Sequence, residues 1–171
     1  MKRERRQKPA DIRQLARQAE RRYLDRGISR ADELTNIRAK TIENLCRALF
    51  EVLTGQFYVT ENEYDAMARQ IDACSRQYRE ISQQCGTGKA EKWLSEMLGE
   101  QSGIDFVLPI IKTPEKARDW QDLACERAAG KLAARFYMHG MSKTLLMDSQ
   151  KINDVLKAAK ERYKAICLAE N

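Results

Sequence analysis

The chain has 171 residues, of which 43% are apolar and 33% are charged. This length supports one domain with a core, and the apolar fraction is above that of disordered chains. The longest apolar run, residues 104–111, is too short to cross a bilayer, and no secretory signal follows the charged start. We therefore expect a folded protein with no membrane association, located in the cytoplasm, or in the nucleus in a eukaryote.

Positive charge is concentrated at the start of the sequence. Residues 1–30, the basic segment, hold eleven of the 31 Lys and Arg residues and four of the 25 Asp and Glu residues, a net charge of +7. The remaining residues hold 20 cations and 21 anions, a net charge of −1. Nine of the eleven cations are arginine, whose planar fork binds phosphate bidentately. The partition therefore favours DNA or RNA as a partner, although a charged, solvated terminus without a ligand is the alternative.

The arginines of the basic segment are the candidate nucleic-acid-binding residues. Residues 1–8 form a basic tail, and residues 9–27 have the spacing of a basic amphipathic helix that Gly27 ends. The segment Gly27–Ala31 resembles the turn and start of the recognition helix in helix-turn-helix proteins. A glycine-capped turn between two bundle helices is the other interpretation. The candidate phosphate contacts are Arg3, Arg5, Arg6, Arg13, Arg17, Arg21, Arg22 and Arg26.

The next two predicted helices form an antiparallel hairpin over residues 30–85. The first runs from a cap at Ser29 to Gly55, and the second starts at a capping box formed by Thr60 and Glu63. Apolar residues of the second helix alternate at three- and four-residue steps from Tyr64 to Cys85, which is a heptad seam. The connection is short, so the seam is expected to face the preceding helix. The facing residues would be Ile42, Leu45, Leu49 and Val52.

Three further helical segments complete the prediction. Gly86 ends the hairpin, a short helix spans residues 90–98, and residues 104–111 form a buried turn or short helix. Thr113 and Pro114 start a long helix that ends near Gly140. A last helix starts at Asp148 or Ser149. Its inner positions are Ile152, Val155, Leu156, Ala159, Tyr163 and Ile166. The fold class is thus all-α, a single-domain bundle of five or six helices over residues 9–171 with a basic N-terminal helix.

No sequence pattern indicates catalysis, a metal or a cofactor. The five cysteines include no C-x-x-C pair, and we expect them to be reduced and to form no disulfide. His139 is the single histidine and lies at a predicted helix end, where a histidine ordinarily stabilises the helix dipole or packs. The sequence Gly86–Lys89 lacks the upstream glycine and the hydroxyl residue of a phosphate-binding loop.

The sequence thus predicts a non-enzymatic nucleic-acid-binding accessory or regulatory protein. The alternative is a helical adaptor or inhibitor that docks on an acidic or grooved protein surface. We also weigh a homodimer, because the seam from Tyr64 to Cys85 is longer than the best facing stretch, Ile42 to Val52. The alternative is that other helices of the same chain pack against the part of the seam that has no facing residues.

Overall fold

A computed structural model describes the backbone of residues 9–170, and the side chains of Arg17, Arg21 and residues 29–170. It contains five α-helices and a 3₁₀ turn at Gly99–Gly103, and the described residues include no strand. The prediction of an all-α bundle is confirmed. The helices are α1 (Pro9–Gly55), α2 (Glu61–Cys85), α3 (Thr87–Leu98), α4 (Ala117–Lys143) and α5 (Ser149–Ala169).

The chain consists of two compact units, one up to Ile37 and one from Arg38 onward. The first unit contains the N-terminal part of α1. The second contains the rest of α1, all other helices and the apolar core, and it is the helical bundle of this protein.

The predicted helix end at Gly27 is wrong, because α1 is one helix of 47 residues. Gly27 does not have the positive φ of a glycine cap. A lone glycine costs only about 1 kcal/mol relative to alanine, and no proline follows it to stop the helix. Contacts between residues three and four positions apart follow directly after Gly27: Arg30 pairs with Glu33 at 3.1 Å, and the Thr35 hydroxyl donates to the Ala31 carbonyl at 2.9 Å. The helix-turn-helix interpretation is therefore also wrong.

Capping residues set both ends of α2 as predicted. The Thr60 backbone N–H donates to Oε2 of Glu63 at 2.9 Å, and the Glu63 N–H donates to the Thr60 hydroxyl at 3.3 Å. The first of these bonds holds the pKa of Glu63 below its ordinary value. Gly86 has a φ of +91°, which ends α2 and lets α3 begin at the next residue. The local sequence alone therefore determines these two boundaries.

The C-terminal part of α1 lies antiparallel to α5. Nζ of Lys40 and Nδ2 of Asn44 each lie 3.1 Å from the Glu170 carboxylate. Glu51, which lies further along α1, pairs with Arg162, which lies earlier in α5. The apolar stripe of α5 faces inward, as predicted. All six of its predicted inner residues are buried: Ile152, Val155, Leu156, Ala159, Tyr163 and Ile166.

The long hairpin of residues 30–85 is not confirmed: α2 also packs on α3 and α4, although the rings of Phe50 on α1 and Tyr64 on α2 meet edge-on at 4.9 Å between their centres. Ile42, assigned to the facing seam, is 40% exposed. The α2 seam is nonetheless covered within the bundle, since Met67, Cys74 and Tyr78 are buried. Its surplus length therefore has intramolecular partners, and the homodimer stays a prediction without that support.

The boundaries of α4 differ from the prediction at both ends. The helix begins at Ala117, because the Asp119 carboxylate accepts the backbone N–H groups of Glu115 and Lys116 at 3.1 and 3.0 Å. Gly140 lies inside the helix, buried against α2, and the helix continues to Lys143. Close helix packing is thus the role of this glycine.

Residues 104–111 form neither a strand nor a helix. Phe106 and Leu108 are 1% and 2% exposed, whereas Val107 and Ile110 are 39% and 44% exposed. The apolar run is therefore an extended connection anchored in the core by two side chains. The prediction of burial is correct for those two residues, and the alternative of a short helix is wrong.

Candidate functional site

The basic segment is described only in part. Arg3, Arg5 and Arg6 lie outside the described residues. Arg13, Arg22 and Arg26 have described helical backbone in α1, but their side chains are outside the described set. The side chains of the remaining two candidates, Arg17 and Arg21, are described, and both are exposed.

The α1 backbone sets the spacing of three of these arginines. Positions 13, 17 and 21 recur every four residues, so they share one side of the helix and span about 12 Å along its axis. Arg30 pairs with Glu33 at 3.1 Å, which partly neutralises it. The backbone of α1 therefore places these three positions on one side of the helix, where the described side chains of Arg17 and Arg21 are exposed.

A second cluster of charged groups joins α2, α3 and α4 inside the bundle. The Tyr78 hydroxyl donates to Oε1 of Glu91 at 2.5 Å, and Arg135 donates to Oε2 of the same carboxylate. Nη2 of Arg135 also donates to the Ser95 hydroxyl at 2.7 Å. The Arg135 side chain is only 13% exposed, so its charge is compensated in place by Glu91.

This network changes two pKa values. Burial alone would raise the pKa of Glu91, but the hydrogen bonds from Tyr78 and Arg135 outweigh it and the pKa lies below its ordinary value. Burial and the adjacent Glu91 carboxylate raise the pKa of Tyr78 to about 12. Glu91 is therefore ionised and Tyr78 protonated at neutral pH, which fits a structural tie between helices.

His139 is buried in α4, at 2% exposure, rather than at a helix end. The Gln70 amide nitrogen lies 3.2 Å from Nε2 of the ring, and the described residues offer Nδ1 no partner in hydrogen-bond geometry. Burial and then the nearby Lys143 charge lower the pKa of His139, while the Met97 backbone raises it by less. The ring is therefore neutral and packed at neutral pH, which agrees with the packing alternative of the prediction and not with the dipole role.

The thiols and acidic groups do not gather into a site. The five cysteines, all in the described part of the chain, form no disulfide. Burial raises the pKa of Cys46 and of Cys74, which keeps these thiols protonated. Among residues 9–170, no three His, Cys, Asp or Glu side chains lie close enough together to hold a metal ion. Within the same residues, no helix is long and apolar enough to cross a membrane.

Comparison with known proteins gives no match: no family model, no curated protein and no solved structure is similar to this chain. Sequence reasoning missed the cluster around Arg135, because Tyr78 and Arg135 lie 13 and 44 residues from Glu91 and each has the ordinary appearance of a helix residue. No local signal distinguishes them.

Proposed function

We propose that this protein binds nucleic acid through the basic segment, as a non-enzymatic accessory or regulatory protein. The observation that carries the proposal is the charge partition, +7 in residues 1–30 and −1 in the remainder. Clustered arginines gain binding energy by releasing counterions from phosphates, whereas a neutral remainder adds little. A cytoplasmic location, or a nuclear one in a eukaryote, belongs to the same proposal because nucleic acid is found there.

The course of α1 supports this proposal. Positions 13, 17 and 21 all lie within the continuous helix α1, which serves as one scaffold for them. Arg17 and Arg21 are exposed and are thus accessible to a phosphate chain. Phosphate contacts carry no base information, and the basic segment has a single aromatic residue, Tyr23, for base stacking. Binding is therefore proposed to be largely independent of sequence and strongly dependent on salt.

Fluorescence anisotropy with labelled duplex DNA and single-stranded RNA, measured over a range of salt concentrations, tests the proposal. Each lost phosphate contact reduces the slope of log K against log salt by about 0.9 for a duplex and about 0.7 for a single strand. The triple variant Arg13→Gln, Arg17→Gln, Arg21→Gln is therefore expected to reduce the slope by roughly 2.7 or 2.1, respectively.

A matched control removes the same charge from exposed positions of the bundle. It consists of Arg69→Gln, Lys157→Gln and Lys164→Gln, three exposed cations on α2 and α5. We expect this control to keep the wild-type slope. A folded chain that lacks residues 1–30 and binds nucleic acid as tightly as the full chain would contradict the proposal, as would equal losses in the two triple variants.

A second function, a helical adaptor for a protein partner, is favoured by two turn residues. Tyr58 and Leu146 are 84% and 83% exposed, with φ angles of +56° and +53°. A non-glycine residue in this backbone region costs about 1–2 kcal/mol, and here it holds a large apolar side chain in solvent. A photo-crosslinking residue at position 58 or 146 should capture one protein from nuclease-treated host extract, and the same residue at exposed position 157 should not.

A further inference from the structure

The first half of α4 places an exposed tryptophan on the same side of the helix as two cations. Trp120, Ala124, Arg127 and Lys131 follow one another at steps of four, three and four residues, so they share one side of α4, and we call this set the α4 strip. The strip extends about 16 Å along the helix axis. Trp120 is 56% exposed, and Ala124 and Lys131 are exposed as well.

The surface next to the indole ring of Trp120 is low. Between Trp120 and Arg127, the described residues on this side of α4 are Ala124, which is exposed, and Leu123, which is buried. Neither side chain rises beside the ring, so a second planar ring has room to lie against it. Stacking on an exposed aromatic side chain is how many proteins bind an unpaired base. The strip therefore offers a stacking platform with cations further along the helix.

Arg127 is the cation of the strip that the described residues compensate least. It is partly exposed, and its Nε atom has no hydrogen-bond partner among those residues. Its acidic neighbours in α4, Asp122 and Glu126, lie on other sides of the helix. Lys131, in contrast, also acts on the Glu91 carboxylate of α3. We therefore expect Arg127 to be the stronger of the two phosphate contacts.

We propose that the α4 strip binds single-stranded nucleic acid: one base stacks on Trp120, and phosphates further along the strand contact Arg127 and Lys131. This inference rests on the proposed function and extends it, because the basic segment contains a single aromatic residue. A duplex offers phosphates but keeps the faces of its bases stacked on one another, and an acidic peptide has carboxylates but no base. A single strand alone uses both parts of the strip.

Titration of the full-length protein with oligothymidylate tests this proposal, with tryptophan fluorescence and the anisotropy of the labelled oligonucleotide as the two readouts. Stacking should quench the emission of Trp120. Trp120→Leu should abolish the quenching, because Trp93, the only other tryptophan, lies on α3 outside the strip. The same variant should weaken single-strand binding about tenfold and leave duplex binding unchanged.

The two cations of the strip should differ in their effect on salt dependence. Arg127→Gln should reduce the slope of log K against log salt for a single strand by about 0.7, which corresponds to one phosphate contact. Lys131→Gln should reduce the slope by less, because Glu91 already shares the charge of Lys131. Equal wild-type slopes in both variants would contradict a phosphate contact at this strip.

Tyr58→Leu and Lys157→Gln are the matched controls, because they change an aromatic residue and a cation that are exposed outside the strip. Both should keep the wild-type quenching and affinity, and circular dichroism should show the wild-type fold for every variant. The proposal is overturned if oligothymidylate leaves the tryptophan emission unchanged, if Trp120→Leu binds it as tightly as wild type, or if polyglutamate binds as tightly as oligothymidylate.

The basic-segment variant Arg13→Gln, Arg17→Gln, Arg21→Gln distinguishes this inference from the proposed function. It should weaken the binding of single strands and duplexes but keep the full quenching at saturation. If this variant weakens binding and Trp120→Leu does not, the α4 strip is excluded and the basic segment is supported. If Trp120→Leu weakens binding and the triple variant does not, the reverse holds.

Discussion

The two units of the chain differ in what holds them in their helical state. Up to Ile37, none of the described side chains is buried, and the basic segment has a net charge of +7. From Arg38 onward, a continuous apolar core is present and the net charge is close to zero. Helicity in the first unit therefore depends on local propensity, whereas helicity in the bundle depends on tertiary packing. The same kind of substitution should consequently have different effects in the two units.

Truncation of a core leucine should have the largest effect. Leu94 of α3 is fully buried, so Leu94→Ala removes its apolar contacts and leaves a cavity. Such changes cost about 2–5 kcal/mol of the free energy of unfolding. Leu34→Ala in the first unit is the matched control, and it should cost less than about 1 kcal/mol because Leu34 is only partly buried and alanine favours the helix. Urea unfolding curves measure the loss of unfolding free energy in both variants. Equal losses would contradict the difference between the two units.

Gly140→Ala should be the next most destabilising change. A β-carbon at Gly140 would lie 2.8 Å from Cγ1 of Ile71 and 2.8 Å from Cγ of Met67, closer than carbon atoms approach. The α2–α4 contact would therefore have to widen, at a cost of about 1–3 kcal/mol. Thermal unfolding measures this loss. If Gly140→Ala were as stable as wild type, the two helices would not be packed at this distance.

The difference between local propensity and tertiary packing also explains which elements can be predicted from the sequence alone. The α5 stripe and the Thr60 capping box are correct, because a helical period and a cap are local properties. The end at Gly27 is wrong because a lone glycine costs a helix only about 1 kcal/mol relative to alanine. The start at Thr113 is wrong because the Asp119 carboxylate accepts the N–H groups of Glu115 and Lys116 and caps the helix at a later position. The hairpin is not confirmed, because a heptad seam indicates that a helix has a partner but does not identify that partner.

The candidate sites also differ in whether the sequence alone can predict them. Charge clustering in the basic segment is visible in composition, and Arg17 and Arg21 are exposed as that interpretation requires. The cluster around Arg135 depends on contacts between α2, α3 and α4, so no spacing rule predicts it. The spacing of the α4 strip is visible in the sequence, but the exposure of Trp120 is not.

His139 should make the stability of the bundle depend on pH. Burial lowers the pKa of His139 in the folded state, so the unfolded chain binds the proton more readily near its ordinary value of 6.5. The contribution is fully present above that value and is lost as pH falls, by at most about 1.4 kcal/mol per pH unit. His139→Gln should flatten the stability profile between neutral and mildly acidic pH. Urea unfolding at several pH values measures this.

The groups that face His139 bear on the interpretation of that profile. Lys143 on α4 repels the protonated ring, and Gln70 on α2 and the Met97 backbone are uncharged partners. Lys143→Gln should therefore reduce the dependence on pH without removing it. If the free energy of unfolding changes with pH as steeply in His139→Gln as in wild type, the carboxylates cause the pH dependence instead.

Gly27→Ala should have the smallest effect, and one of opposite sign to Gly140→Ala. A β-carbon at Gly27 meets nothing within 4 Å, and the residue is helical and exposed. Alanine should therefore stabilise the helix locally by up to about 1 kcal/mol. Hydrogen exchange of the amides around residue 27 should slow, while the urea midpoint of the bundle stays unchanged because the first unit lies outside the core. Faster exchange at these amides would show that glycine is needed there for a turn, and α1 would then be two helices in solution.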